Sequence, residues 1–196
     1  GRASHTHPNL GQVPSINKVY GKECRQLFRA TPGKVLVGID ISGLEVRMLA
    51  HYLAKYDAGD YADVVLNGDI HSKTQELAGL DSRDVAKRFY YCFLYGGGVK
   101  KIAQVTGKTV GDAGKTRTRF LNNLPALNKL IKDVQSASKR GHIVGLDGRQ
   151  VKVRSQHSAL NTLLQSAGAI VCKQWLVEFD KNIKRIPDVQ QVVWVH

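Results

Sequence analysis

Four side chains that could hold a nucleotide recur at every fourth position between residues 83 and 95. They are Arg83, Lys87, Tyr91 and Tyr95. On a helix this spacing places them in one row, about 18 Å long at about 1.5 Å per residue. Two cations followed by two aromatic rings match a nucleoside triphosphate, in which anionic phosphates precede a sugar and a flat base. The alternative interpretation is a solvated basic end and an aromatic end that packs in the core.

Asp40 is a candidate metal ligand. It ends the apolar run VLVGID of residues 35–40, which is typical of a buried strand. Its carboxylate and the backbone carbonyl of Ile41 are oxygen ligands of the kind that Mg²⁺ prefers. Two-metal phosphoryl chemistry needs more than one carboxylate, and no second one follows at a strand end. A cap on the turn is the alternative role for Asp40.

Polar side chains elsewhere offer weaker signals. His157, Asn161 and Gln165 recur every four residues on a predicted long helix, where the amides could reach base edges. Hydrogen bonds within the core or to solvent are the alternative. His71 opens a predicted short helix and could donate to a phosphate oxygen or cap its own helix.

The elements that must position these residues follow from periodicity and turn signals. Ser42 and Glu45 match a capping box at the start of a helix, and Asp147-Gly148 predicts a hairpin. The other predicted elements are a loop over 1–16, a strand over 35–40, helices over 69–77, 83–95, 99–105, 112–122, 126–139 and 157–184, paired strands near 142–144 and 151–153, and a strand over 191–196. This order predicts an α+β fold in which helices decorate a small antiparallel sheet.

Composition narrows the functional class. The 196 residues contain 29 Lys and Arg against 16 Asp and Glu, a formal net charge of +13, which favours a polyanionic partner. No apolar run approaches the ~20 residues of a membrane span, and no signal peptide opens the chain, so we expect a cytoplasmic protein. Three separated cysteines without a CxxC pair indicate neither a disulfide framework nor a cysteine metal site.

Five segments in order resemble the palm and fingers of family A DNA polymerases, the group that contains bacterial DNA polymerase I. The resemblance is strongest to replicative polymerases of short-tailed bacteriophages. The segments are HPNLGQVP at 7–14, VGIDISGLEVR at 37–47, the R-x3-K-x3-Y-x3-YG pattern at 83–96, LDGR at 146–149 with the polar positions of 157–165, and VH at 195–196.

The resemblance implies roles at a catalytic site. Asp40 would bind two Mg²⁺ ions, with the Ile41 carbonyl on one of them, and Asp40 and Lys87 would be catalytic. His71, Arg83 and Lys87 would grip the triphosphate.

The same resemblance assigns the sugar and base end of the nucleotide. Tyr91 would pack on the deoxyribose, and Tyr at this position goes with acceptance of dideoxynucleotides. Tyr95 would stack near the template base. Glu45 would crowd the sugar 2′ position, disfavour ribonucleotides and form a hydrogen bond with Tyr95.

Primer-template DNA and dNTPs are the partners that the resemblance implies, with no membrane and with any processivity factor left open. The residues that would lie along primer and template are Arg2, Asn9, Gln12, His157, Asn161, Gln165 and His196. Amide contacts to minor-groove acceptors that every base pair offers would test pair shape without reading sequence.

The resemblance also implies a division into segments. Residues 1–66 would be an N-terminal palm segment, 67–140 the helical fingers, and 141–196 a C-terminal palm segment. The chain ends within the predicted last strand, where the family supplies a second metal-binding Asp after the residue that matches His196. We therefore expect a fragment truncated at both ends, inactive by itself.

The function implied is template-directed DNA synthesis in viral DNA replication, in the host cytoplasm: nucleotidyl transfer of a dNTP to a primer 3′-OH with release of pyrophosphate. Two alternatives remain. A single-subunit RNA polymerase shares a related fingers motif, but Glu45 argues against it. A non-catalytic basic DNA-binding module would account for the charge alone.

Overall fold

The computed structural model describes residues 4–194. Arg2 and His196, which the resemblance assigns to DNA, lie outside the described residues. The chain divides into two compact units: residues up to Ser42 together with those from Cys172 onward form the first, and Gly43–Val171 form the second. Over residues 4–194, no helix has the length and apolar character needed to cross a membrane.

Helices dominate the described chain, with one small antiparallel sheet. The elements are α1 (Gly21–Gln26), α2 (Leu44–Asp57), α3 (Asp60–Asn67), α4 (Ile70–Ala78), α5 (Arg83–Leu94), α6 (Val99–Thr106), α7 (Val110–Asn122), α8 (Pro125–Ser138), β1 (His142–Val144), β2 (Gln150–Lys152) and α9 (Ala159–Ile183), with 3₁₀ turns at Leu10–Gln12 and Gln156–Ser158. The α+β prediction is confirmed.

The predicted hairpin forms in the second unit. Strands β1 and β2 pair antiparallel, with Ile143 opposite Val151. Gly148 has φ +80°, a backbone conformation that favours glycine. The Asp147-Gly148 turn signal therefore located the hairpin correctly.

The strand predicted over residues 35–40 is wrong. These residues have no regular secondary structure, and Val35 and Val37 are 82% and 76% exposed. An apolar run becomes a strand only when a neighbouring strand pairs with its backbone, and within residues 4–194 β1 and β2 pair with each other alone. The last predicted strand has the same outcome over residues 191–194, while 195–196 lie outside the described part.

The capping box predicted at Ser42 is also wrong. Helix α2 begins at Leu44, its N-cap is Gly43 at φ +62°, and no side chain in the described part of the protein caps it. The left-handed backbone at Gly43 moves the helix start past Ser42. Glu45 therefore has no capping role, and its carboxylate accepts hydrogen bonds from residues distant in sequence.

The core of the second unit fixes the rotation of α5. Ala86, Phe89, Tyr90 and Phe93 are buried, and the rings of Phe89 and Phe93 lie 5.3 and 5.4 Å from that of Phe120 on α7. With this apolar face inward, residues on the opposite side of α5 must face away from the core.

Candidate nucleotide site

The row on α5 lies on its outward side. Ser82 caps the helix by accepting a hydrogen bond from the Val85 N–H. Arg83 and Lys87 are exposed, Tyr91 is half-buried, and Tyr95 immediately follows the helix with 51% of its surface exposed. The rings of Tyr91 and Tyr95 stack with centroids 6.3 Å apart. The helix and its row are thus as predicted, and the aromatic end is not confined to the core.

His71 lies beside this row. It sits in the first turn of α4, and its ring centroid is 5.9 Å from that of Tyr90 and 5.7 Å from that of Tyr91. Its Nδ1 atom is buried and has no hydrogen-bond partner among residues 4–194. Burial, and secondly the charge of Arg83, lowers the pKa of His71, which favours a neutral imidazole at neutral pH.

Asp69 is a residue of this site that sequence reasoning missed. Its Oδ2 accepts from Arg83 Nε at 2.6 Å and its Oδ1 from Arg83 Nη2 at 3.1 Å. It also caps α4 by accepting from the His71 N–H at 3.1 Å. Hydrogen bonds from Arg83, and secondly from Ser72, lower the pKa of Asp69. An Asp at the start of a predicted helix is a usable capping signal, but the sequence does not indicate its pairing with Arg83.

Glu45 lies at the aromatic end. Its Oε1 atom accepts from the Tyr95 hydroxyl at 3.3 Å and from Gln165 Nε2 at 2.9 Å. The contact between Glu45 and Tyr95 that the resemblance implies is therefore present. Gln165, expected along DNA, has its amide on this carboxylate. On the same stretch of chain, Asn161 is half-buried and His157 exposed.

The remaining predicted residues belong to the first unit. Asp40 is exposed and Ile41 half-buried, both outside regular secondary structure. Asn9 caps the 3₁₀ turn by accepting from the Gly11 N–H at 3.1 Å, and Gln12 ends that turn exposed. Within residues 4–194, no group of three or more His, Cys, Asp or Glu side chains could hold a metal. The Asp40 carboxylate and the Ile41 carbonyl are nevertheless oxygen donors of the class that fits Mg²⁺.

Two phage proteins are similar in sequence to this chain over its whole length. It is 44% identical to the DNA-directed DNA polymerase of Escherichia phage T7 and 43% identical to that of Enterobacteria phage T3, in each case over 100% of this chain and 32% of the relative. The chain therefore spans about a third of the length of these curated relatives.

A solved structure has the same fold. It is described as the POL domain of Pol1 from M. smegmatis in complex with DNA primer-template and dNTP, and it matches with a TM-score of 0.78 and 24% identity, over 94% of this chain and 36% of that one. The profile of DNA polymerase family A matches residues 1–196. The chain therefore belongs to DNA polymerase family A.

Proposed function

We propose that the complete protein containing this chain is a template-directed DNA polymerase of phage replication, acting in the host cytoplasm. It would transfer the nucleotidyl group of a dNTP to a primer 3′-OH and release pyrophosphate. The observation that carries the proposal is the outward row along α5 and Tyr95, cationic at one end and aromatic at the other. His71 lies beside this row, and Glu45 accepts a hydrogen bond from the Tyr95 hydroxyl at its aromatic end. The names of the T7 and T3 relatives support it.

The cationic end of the row would bind the triphosphate. Arg83 and Lys87 are exposed, so both charges can reach phosphate oxygens. Positive groups held in place stabilise the charge that builds on these oxygens as the phosphoryl group is transferred. A neutral His71 would donate a hydrogen bond to a phosphate oxygen and would not take part in proton transfer.

The aromatic end would hold the nucleoside. Tyr91 and Tyr95 already stack on one another, which gives the sugar and the base pair flat surfaces to pack on. The carboxylate of Glu45, fixed by Tyr95 and Gln165, would fill the space beside the sugar 2′ carbon. A ribose hydroxyl would then meet a bulky charged group.

Mg²⁺ is the cofactor of this proposal, as two ions in the complete enzyme. Asp40 and the Ile41 carbonyl would hold metal, with Asp40 shared between the ions. When bound, the metal lowers the cost of deprotonating the primer hydroxyl and neutralises charge on the phosphates. Asp40 and Lys87 are the catalytic residues.

DNA is the second substrate. The net charge of +13 favours a polyanion, and polar residues at the two 3₁₀ turns and on α9 would lie along primer and template. These are Asn9, Gln12, His157 and Asn161, with Gln165 shared between DNA and Glu45. Residues 1–66 and 141–196 would serve as palm and 67–140 as fingers.

Glu45→Ala in the complete enzyme is expected to raise use of ATP relative to dATP by about a hundredfold, because the group that excludes the 2′-OH is removed. Steady-state incorporation of the two nucleotides opposite template T measures the ratio. Glu76→Ala is the matched control, since Glu76 is an exposed carboxylate on α4 paired with Lys73. An enzyme that prefers ATP before mutation would instead support the RNA polymerase alternative, and an unchanged ratio would remove the role of Glu45.

Tyr91→Phe should lower acceptance of dideoxynucleotides by at least about tenfold relative to dNTPs. The phenol hydroxyl supplies the polar group that a dideoxy sugar lacks at its 3′ position. Chain termination at graded ddTTP to dTTP ratios measures it. Tyr56→Phe is the control, since it removes a hydroxyl bonded to Asp133 elsewhere in the unit. Equal termination by the Tyr91 variant and the parent would contradict the assignment.

A further inference from the structure

One carboxylate joins two groups of the nucleotide site. Asp69 stands just before α4, where it caps the backbone of His71 and accepts from the Ser72 hydroxyl at 2.6 Å. The same two oxygens hold the side chain of Arg83 on α5. Asp69 thereby links the start of α4 with the start of α5, because it accepts hydrogen bonds from the His71 backbone and from the Arg83 guanidinium.

The geometry of the pair leaves Arg83 able to bind an anion. A guanidinium donates along its side, through Nε and one Nη, and also across its end, between the two Nη atoms. Asp69 occupies the side edge, because the bonds run from Nε and Nη2. The end edge, which presents one hydrogen from each Nη atom, is not used by this contact, and neither is Nη1. A phosphate can therefore be held while the ion pair persists.

Stability alone does not account for this pair. Half of the Arg83 side chain and 40% of that of Asp69 are exposed, and ion pairs at such positions contribute little to folding. The two helices already contact one another, and both have buried residues, among them Thr74 on α4 and Ala86 on α5. A carboxylate beside a triphosphate site also weakens the attraction for phosphate. Its presence there therefore suggests a role that offsets this repulsion.

We propose that Asp69 is a positioning residue for nucleotide binding, which fixes the plane of the Arg83 guanidinium and sets it relative to His71. The inference rests on the proposed function. A long arginine side chain loses rotamer freedom when it grips a ligand, and holding it in the bound orientation beforehand removes part of that cost. The hydrogen bonds from Arg83 keep Asp69 charged, as its lowered pKa indicates.

Asp69→Asn separates the two roles of the carboxylate. Asn is as good an N-cap as Asp, so α4 keeps its start, but the amide nitrogen cannot accept from the guanidinium. In the complete polymerase we expect the KM for dNTP to rise about tenfold, as for loss of a hydrogen bond to a charged group, with kcat within about twofold. Asp69→Ser, which also caps but cannot form the bidentate pair, should give at least the same rise.

Asp112→Asn is the matched control. Asp112 lies in the first turn of α7, also exposed and paired with a cation, Lys115, and its loss should leave the KM unchanged. Steady-state primer extension at varied dATP measures all variants, and thermal unfolding checks that Tm is unaltered. A variant that lowered kcat with unchanged KM would contradict a positioning role.

The coupling with Arg83 decides the matter. Arg83→Ala should raise the KM by itself, and adding Asp69→Asn to it should change the KM by less than about twofold, because a positioning residue has nothing left to position. If Asp69→Asn raises the KM equally with and without Arg83, or not at all while Arg83→Ala does, the inference is wrong and the proposed function stands. If Arg83→Ala itself leaves the KM unchanged, the row does not bind the triphosphate. The inference about Asp69 is then wrong together with that part of the proposed function.

Discussion

Asp40→Asn in the complete polymerase is expected to lower primer extension by at least about a thousandfold, since a neutral amide is a poor ligand for the metal ions that phosphoryl transfer needs. Asp40 is exposed and outside regular secondary structure, so the change should leave folding within about 0.5 kcal/mol. Single-turnover extension of a labelled primer with dATP and Mg²⁺ measures the loss.

DNA affinity distinguishes this result from the alternative of a non-catalytic basic module. The Kd for primer-template without nucleotide, measured by fluorescence anisotropy, should change by less than about twofold, because one charge among many contributes little to DNA binding. Asp188→Asn is the control: it removes an exposed carboxylate, paired with Lys34, in the same unit. An Asp40 variant that extends primers at the parent rate would remove Asp40 from the metal site.

Lys87→Ala is expected to lower kcat/KM for dNTP by about a hundredfold, because a cation held against the triphosphate stabilises the charge that develops on it during nucleotidyl transfer. The ammonium group is exposed on the outward side of α5, so its loss creates no cavity. Single-nucleotide incorporation at varied dNTP separates kcat from KM, and a fall in kcat would show that the charge acts in the transition state.

Arg88→Ala supplies the matched control for Lys87. Arg88 is the next residue on the same helix and is also exposed, but it is turned about 100° away from the row. A general effect of positive charge would reduce incorporation equally in both variants and would contradict a specific role for Lys87. We expect Arg88→Ala to stay within about twofold of the parent enzyme.

The sequence predicted well those features that depend on neighbours in the chain. The four-residue spacing of α5 and its end before Gly96, the short helix that carries His71 and the Asp147-Gly148 hairpin are all confirmed. Side chains within a helix or turn are related by the regular geometry of the backbone, so their spacing in sequence translates into spacing in space.

Local patterns failed where a distant partner or a special backbone decides. The apolar run 35–40 is typical of a strand but has no partner strand among the described residues. The left-handed Gly43 displaced the capping box at Ser42. Helix α3, enclosed between Gly59 and Gly68, was not predicted.

Taken alone, the sequence determined the family, through its ordered motifs, and the existence of the row on α5, because both follow from residue types at fixed intervals. The tertiary structure alone decided that the row faces outward, that Asp69 pairs with Arg83 and that Glu45 also accepts from Gln165. Asp69 reaches Arg83 across 14 positions and Glu45 reaches Gln165 across 120. Such pairs depend on how each helix is oriented when its buried face packs against its neighbours. The spacing of residues within one helix does not specify that orientation.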